Sequence, residues 1–195
     1  MAYRLQITSD GILARFANQL AAVGEVKANQ ALQRAISHTG DKAKTQVIRA
    51  LTKQTGLKRD VIVRAVHFRK PSYKDLRYVM TSRGGDISLK YFSPRETAKG
   101  VSAAPFGRRS IRPGTFMKAG WWPGRVQKDN WNDQVFSRTG RKTPSGMDQF
   151  QKETSGVVIP DEMVKGMTLA AWRTVAERDL ANRVGHELGR LLGGR

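Results

Sequence analysis

The chain has 195 residues and carries 35 Lys plus Arg against 16 Asp plus Glu, a formal net charge of +19, a length that suits one domain of roughly 100 to 200 residues. A hydrophobic content of 39% excludes a wholly disordered polypeptide, and the absence of cysteine excludes a disulfide framework, a zinc finger and a thiol nucleophile. No apolar run approaches the ~18 residues of a membrane span, and residues 1–10 lack the basic start and apolar middle of a signal peptide, so the chain is expected to be soluble and intracellular when made.

Tyr3 to Thr8 alternates with period two and predicts a short strand; Ser9-Asp10-Gly11 punctuates it before a helical pattern at Ile12, Phe16, Leu20 and Val23. A longer periodic stretch with Leu32, Ile36, Ala43, Val47, Ile48 and Leu51 predicts a helix from about Val26 to Lys53, open to a kink at Gly40. Thr55-Gly56 ends it, and Leu57 to Phe68 predicts a shorter helix with Asp60 in its first turn. Leu76 to Thr81 and Ile87 to Phe92 both suit strands, and Arg83-Gly84-Gly85 between them predicts a hairpin over 76–92.

From Pro94 to Ser155 the chain is rich in Gly, Pro, Arg and Thr. Weak alternation at Gly100–Ala103, Gly114–Met117 and Gln134–Ser137 predicts short strands joined by long loops, which are usually functional or ordered by a partner. Pro160-Asp161-Glu162 reads as a helix start. The stripe Leu169, Trp172, Ala176, Leu180, Val184, Leu188 and Leu191 then predicts an amphipathic helix of about 25 residues that fraying ends at Gly193-Gly194-Arg195. The order of elements predicts an α+β domain, its antiparallel sheet packed against the long N-terminal and C-terminal helices, which pack on each other.

The chain offers little catalytic chemistry. His38, His67 and His186 fall on three separate predicted helices without H-x-x-x-H or H-E-x-x-H spacing. Neither Gly84-Gly85 nor Gly120 to Gly124 supplies the Lys-Ser/Thr of a phosphate-binding loop. Gly-x-Ser-x-Gly is absent, and Pro160-Asp161 lacks the following Glu-x-Lys of one nuclease class. The expectation is a protein that is not an enzyme and holds no metal or cofactor.

Charge distribution says more than its total. Residues 41–75 hold ten basic side chains against Asp41, Asp60 and Asp75, a pattern that fits either an anion-binding face or a solvated one. Residues 88–145 hold twelve against Glu96, Asp129 and Asp133, interleaved with eight aromatics. Arginine beside aromatic rings suits stacking on bases, and equally suits the anchors of a protein interface. Trp121 and Trp122 cannot both point into one core from a strand, so a partner chain or a folded-over loop is expected to cover at least one.

Three stretches together resemble the minor tail protein Z family of long-tailed, lambda-like phages: Ala31 to Ile36 running through Thr52 to Ala65; Gly114-Thr115-Phe116-Met117; and Val157-Val158-Ile159-Pro160 leading into Met163 and the terminal helix. The resemblance covers most of the chain in architecture, while the Trp-rich segment from Gly120 to Phe136 departs from it. It implies a virion structural protein of the tail-completion and head-tail joining type, a single α+β domain over 1–195 located in the tail or neck. The implied partners are further copies of itself in a ring, often sixfold, the tail terminator or tail tube proteins, the head-tail connector, and the genomic duplex DNA that crosses the channel, with no membrane. On this reading the candidate contacts to DNA or to acidic neighbours are Arg59, Arg64, Arg108, Arg109, Arg112 and Lys118. The candidate subunit-interface residues are Phe106, Phe116, Trp121, Trp122 and Trp131. The competing reading is a stand-alone basic nucleic-acid-binding protein.

Overall fold

Small residues at three- and four-residue spacing make the spine of the molecule. In the computed structural model, which describes residues 2–193, helix α3 (Glu25–Thr55) buries Ala28, Ala31, Leu32, Ala35, Ile36, Gly40, Ala43, Val47, Ile48 and Leu51 along one face. It runs unbroken through Gly40. Helix α6 (Gly166–Leu192) lies antiparallel to α3 and buries Trp172, Val175, Leu180, Val184 and Leu188 against it. Alanines on one helix opposite branched and aromatic side chains on the other let the two axes approach, and each buried large side chain contributes about 1.5–3 kcal/mol. The fraying expected at Gly194 and Arg195 lies outside the described residues.

Two features lock one end of this pair, where α3 finishes and α6 begins. Gly56, at φ 76°, closes α3 by donating its N–H to the Thr52 carbonyl at 3.1 Å, and the backbone of Gly107 stands where a Gly56 side chain would begin. Gln54 reaches across to α6: its Oε1 accepts from the backbone N–H and the hydroxyl of Thr168, both at 3.2 Å. Its Nε2 donates to Glu162 Oε2 at 2.6 Å. A side chain of one helix therefore caps the other. Buried Glu162 also pairs with Lys165 at 2.8 Å, which raises the Lys165 ammonium above its ordinary range.

The N-terminal strand β1 (Ala2–Ile7) is followed by α1 (Asp10–Arg15) and α2 (Ala17–Val23), which break at Phe16. After α3, α4 (Arg59–Ala65) gives way to β2 (Val66–Arg69), then β3 (Tyr78–Arg83). The sheet order is β1-β3-β2, all antiparallel. The predicted helix over 57–68 thus stops early. Val66 and Phe68 pair in register with Ser82 and Met80, and the Ser82 hydroxyl donates to the Ala65 carbonyl at 3.0 Å where α4 ends.

The predicted hairpin over 76–92 is also corrected. Because β3 is flanked by β1 on one edge and β2 on the other, no edge remains for the segment beyond Gly84-Gly85. That segment forms β4 (Asp86–Ser88), which pairs instead with β11 (Thr154–Val158), and then a 3-10 turn at Leu89–Phe92 that buries Leu89 and Phe92 three residues apart. Short strands follow over 94–155: β5 (Arg95–Thr97), β6 (Gly100–Ala103), β7 (Ser110–Pro113), β8 (Thr115–Phe116), β9 (Phe136–Lys142) and β10 (Asp148–Lys152), of which β6 and β8 fall where alternation predicts them, β9 overlaps the predicted 134–137 only at its start, and β5, β7 and β10 are not foreseen. Among the described residues the strands form four small antiparallel sheets rather than one. Helix α5 (Ile159–Met163) starts with Pro160 in its first turn, as the sequence predicts. The fold is α+β, with α3 and α6 packed on each other and on strands. No helix among the described residues is long and apolar enough to cross a membrane.

Candidate interface surface

At least nine of the sixteen acidic side chains are engaged in ion pairs, so few carboxylates remain to balance the surplus cations. The six basic residues singled out by sequence divide into two groups. Arg109 is pinned to the backbone: Nη1 donates to the Ser102 carbonyl and Nη2 to the Ser93 carbonyl, both at 3.2 Å. Arg112 donates from Nη2 to the Ser155 carbonyl at 3.3 Å and lies 3.8 Å from Glu153. These two arginines tie β6 and β7 to their neighbours. Arg64 pairs with Asp60 one turn earlier at 3.1 Å. Arg59, Arg108 and Lys118 are exposed and make no ion pair among the described residues. The cluster Arg108, Arg109, Arg112 is therefore not one anion-binding patch, since only its first member is free.

The candidate aromatics divide in the same way. Phe116 is only 6% exposed and forms a closed cluster with Trp131, Phe136 and Phe150, in which each ring contacts the other three at centroid distances of 5.0–6.0 Å. Tilted and edge-on rings of this kind contribute about 0.5–1.5 kcal/mol per pair beyond burial. Phe116 and half-buried Trp131 are thus internal packing of the sheet β10-β9-β8 and not a free surface. Phe106, at φ 55° in a 3-10 turn, remains exposed. Trp121 is 83% exposed and Trp122 51% exposed. Among the described residues no loop covers Trp121, and Trp122 is half covered.

Arg138 links the two groups. Its guanidinium lies 5.0 Å from the centre of the Phe116 ring and 5.9 Å from that of Trp121, and its Nε is 3.5 Å from Asp148. Beneath it, Arg125 and Glu96 form a largely buried ion pair that fastens the 120s loop to β5. From this anchored root the β9–β10 hairpin projects outward, with residues 138–142 and 148–152 all exposed on both faces. A β-sheet ordinarily buries one face. The expected strand at 134–137 reaches only the start of this element, and the rest is missed because residues 137–142 carry no apolar side chain to alternate, although Thr143-Pro144-Ser145-Gly146 carries the signal of a turn.

Elsewhere, a cleft of about 380 Å³ follows the α3/α6 seam, lined by Lys42, Gln46, Thr174, Arg178 and Asp179. His38 and His186 line its continuation, bringing together two histidines that sequence places on separate helices, whereas His67 lies on β2 instead of a helix. Lys42 bridges the seam to Asp179 in an ion pair. Among the described residues, no group of three or more His, Asp or Glu side chains could hold a metal ion. No protein-family model matches the chain, and neither a curated protein nor a solved structure is significantly similar to it.

Proposed function

We propose that this protein is a structural subunit of a phage virion that completes the head-proximal end of the tail, assembling as a ring at the head-tail junction around the DNA channel. The observation that carries the reading is the exposed pair Trp121 and Trp122 at the root of a basic hairpin. Tryptophan with arginine is the anchor chemistry of protein interfaces, and a lone subunit gains nothing by holding two indoles in water. A ring interface is heterologous and closes by rotation, so one patch per subunit suffices if a different surface of the next copy receives it. The resemblance of residues 31–65, 114–117 and 157–163 to the tail protein Z family supports the same reading, as does a net charge of +19 beside a polyanion.

The test is the mass of the purified protein in solution by light scattering across salt concentrations, alone and mixed with tail-terminator and connector proteins. A closed ring, alone or with those partners, is expected. A stable monomer that ignores them overturns the reading. The second reading, a stand-alone nucleic-acid-binding protein, is favoured by the unpaired cations Arg59, Arg108 and Lys118, and a monomer that binds duplex DNA tightly would establish it.

A further inference from the structure

We infer that the β9–β10 hairpin is a nucleic-acid-binding ribbon, whose tip grips the phosphate backbone of duplex DNA through Arg141 and Lys142. From residue 138 to 147 the chain holds Arg138, Arg141 and Lys142 and no acid. Asp148, which stands opposite Lys142 in the strand register, is taken up by Arg138 at 3.5 Å, and the Arg138 guanidinium also lies against two rings. The Arg141 and Lys142 side chains are exposed and make no ion pair among the described residues.

The tip is built to hold its shape without help from a core. Thr143 N–H donates to the Met147 carbonyl at 2.8 Å, Gly146 N–H to the Thr143 carbonyl at 2.9 Å, and the Thr143 and Ser145 hydroxyls are bonded at 2.9 Å. The Thr139 hydroxyl donates across the ribbon to the Gln149 carbonyl at 3.2 Å, where the register shifts between Asp148 and Phe150. At the other end the four-ring cluster fixes the strands to the body. A seven-residue strand extends about 20 Å at ~3.3 Å per residue, and two strands about 5 Å apart make a ribbon narrow enough for the ~12 Å major groove or for tracking a phosphate ridge.

The chemistry selects the partner. The buried centres of protein interfaces are apolar and poor in charge, whereas residues 139–147 carry one large apolar side chain, Met147, among glycines, hydroxyls and cations. Small polar residues bring the backbone close to the phosphates, and each of the two cations neutralises one. The exposed tryptophans, by contrast, lie in the 120s loop, where Trp121 meets Arg138 at the base of β9, so the proposed subunit contact and the proposed DNA contact use different segments. This deepens the proposed function and takes from it only the nearness of DNA to the subunit.

The experiment uses the full chain and a labelled duplex of about 30 base pairs, with anisotropy read between about 50 and 200 mM salt, and light scattering and a thermal melt for every variant. The charge reversal R141E/K142E is expected to weaken binding at least about tenfold and to flatten the log-log salt slope by about 2, since each neutralised phosphate contributes about 0.9. A matched reversal at two exposed lysines of α3, K27E/K53E, removes the same charge and is expected to change affinity less than about threefold. The neutral pair R141Q/K142Q gives the same direction should the reversal perturb the fold. Equal losses in the two reversals, an unaltered slope, no binding by the wild type, or a changed mass in R141E/K142E would each overturn the inference. A monomeric wild type that shows the tip effect leaves the inference standing and removes the tail reading; a ring without the tip effect does the reverse.

Discussion

The ring of Tyr78 lies flat in the notch that Gly40 leaves in α3, so close that a β-carbon at position 40 would fall inside the ring's van der Waals surface. Tyr78 is fully buried on the central strand β3, and its hydroxyl donates to Asp41 Oδ1 at 3.2 Å. Asp41 also pairs with Lys70 at 2.7 Å, so one carboxylate joins the helix, the strand and the loop that leads to the strand. The glycine that looks like a helix-breaker in sequence is the docking slot between helix and sheet.

Gly40→Ala is therefore expected to destabilise the protein by about 3 kcal/mol, at the upper end of overpacking costs, although alanine favours an isolated helix. In a Tyr78→Ala background the same substitution is expected to cost far less, because the clash has gone. Urea unfolding of the double-mutant cycle reads the coupling, and additivity would show that the notch is not what position 40 provides.

Burial, with Asp41 adding to it, raises the Tyr78 phenol above its ordinary 10.0. The neutral phenol's contribution to stability is full below pH 10 and is lost as pH rises through the raised folded value, because the unfolded chain ionises first. Tyr78→Phe removes both the hydrogen bond and this dependence. It is expected to be less stable than the parent by about 1–3 kcal/mol at neutral pH, with the gap narrowing above about pH 10. Chemical denaturation at neutral and alkaline pH checks it, and a constant gap would contradict the assignment.

Gln54 serves two groups at once: the Thr168 N–H and hydroxyl in the first turn of α6, and the buried Glu162 carboxylate, whose other oxygen pairs with Lys165. Gln54→Ala is expected to cost about 2–4 kcal/mol, the sum of a lost cap and a lost hydrogen bond to a charge. Gln54→Glu should cost more, since it sets a second carboxylate beside the first. Thermal unfolding ranks the three proteins.

Arg108 and Arg109 are neighbours with different tasks. Arg109→Ala removes donors to the Ser93 and Ser102 carbonyls and is expected to lower stability by about 1–3 kcal/mol, whereas Arg108→Ala should stay within about 0.5 kcal/mol. Equilibrium unfolding of the two variants side by side tells a structural arginine from a free one.

Phe150 closes the aromatic cluster at the root of the hairpin while remaining 45% exposed. Phe150→Ala is expected to raise amide exchange across residues 136–152 and to leave the protection of α3 and α6 unaltered. Loss of protection throughout the molecule would instead make this cluster part of the main core.

Both long helices and their mutual packing were legible because the 3.6-residue period depends only on which residues are apolar, and that information is local. The short strands over 100–103 and 115–116 and the helix start at Pro160 were legible for the same reason. Partner choice was not. Val66 to Arg69 carries apolar residues compatible with either a helix or a strand, and only the open edge of β3 decides between them; β4 looks beyond its sequence neighbour because that neighbour's edges are taken. Among the candidate residues, sequence could identify arginines and aromatics near one another but not where each finds a partner. Phe116 and Trp131 turn inward because Phe136 and Phe150 arrive from elsewhere in the chain to meet them, and Arg109 and Arg112 are drawn to carbonyls of distant strands. By itself the sequence determined the charge, the helices and the α+β class, since these follow from composition and periodicity. Which cations stay free, which tryptophans face water and which strands pair were decided by tertiary structure alone, because hydrogen bonds and burial are settled between segments that only the folded chain brings together.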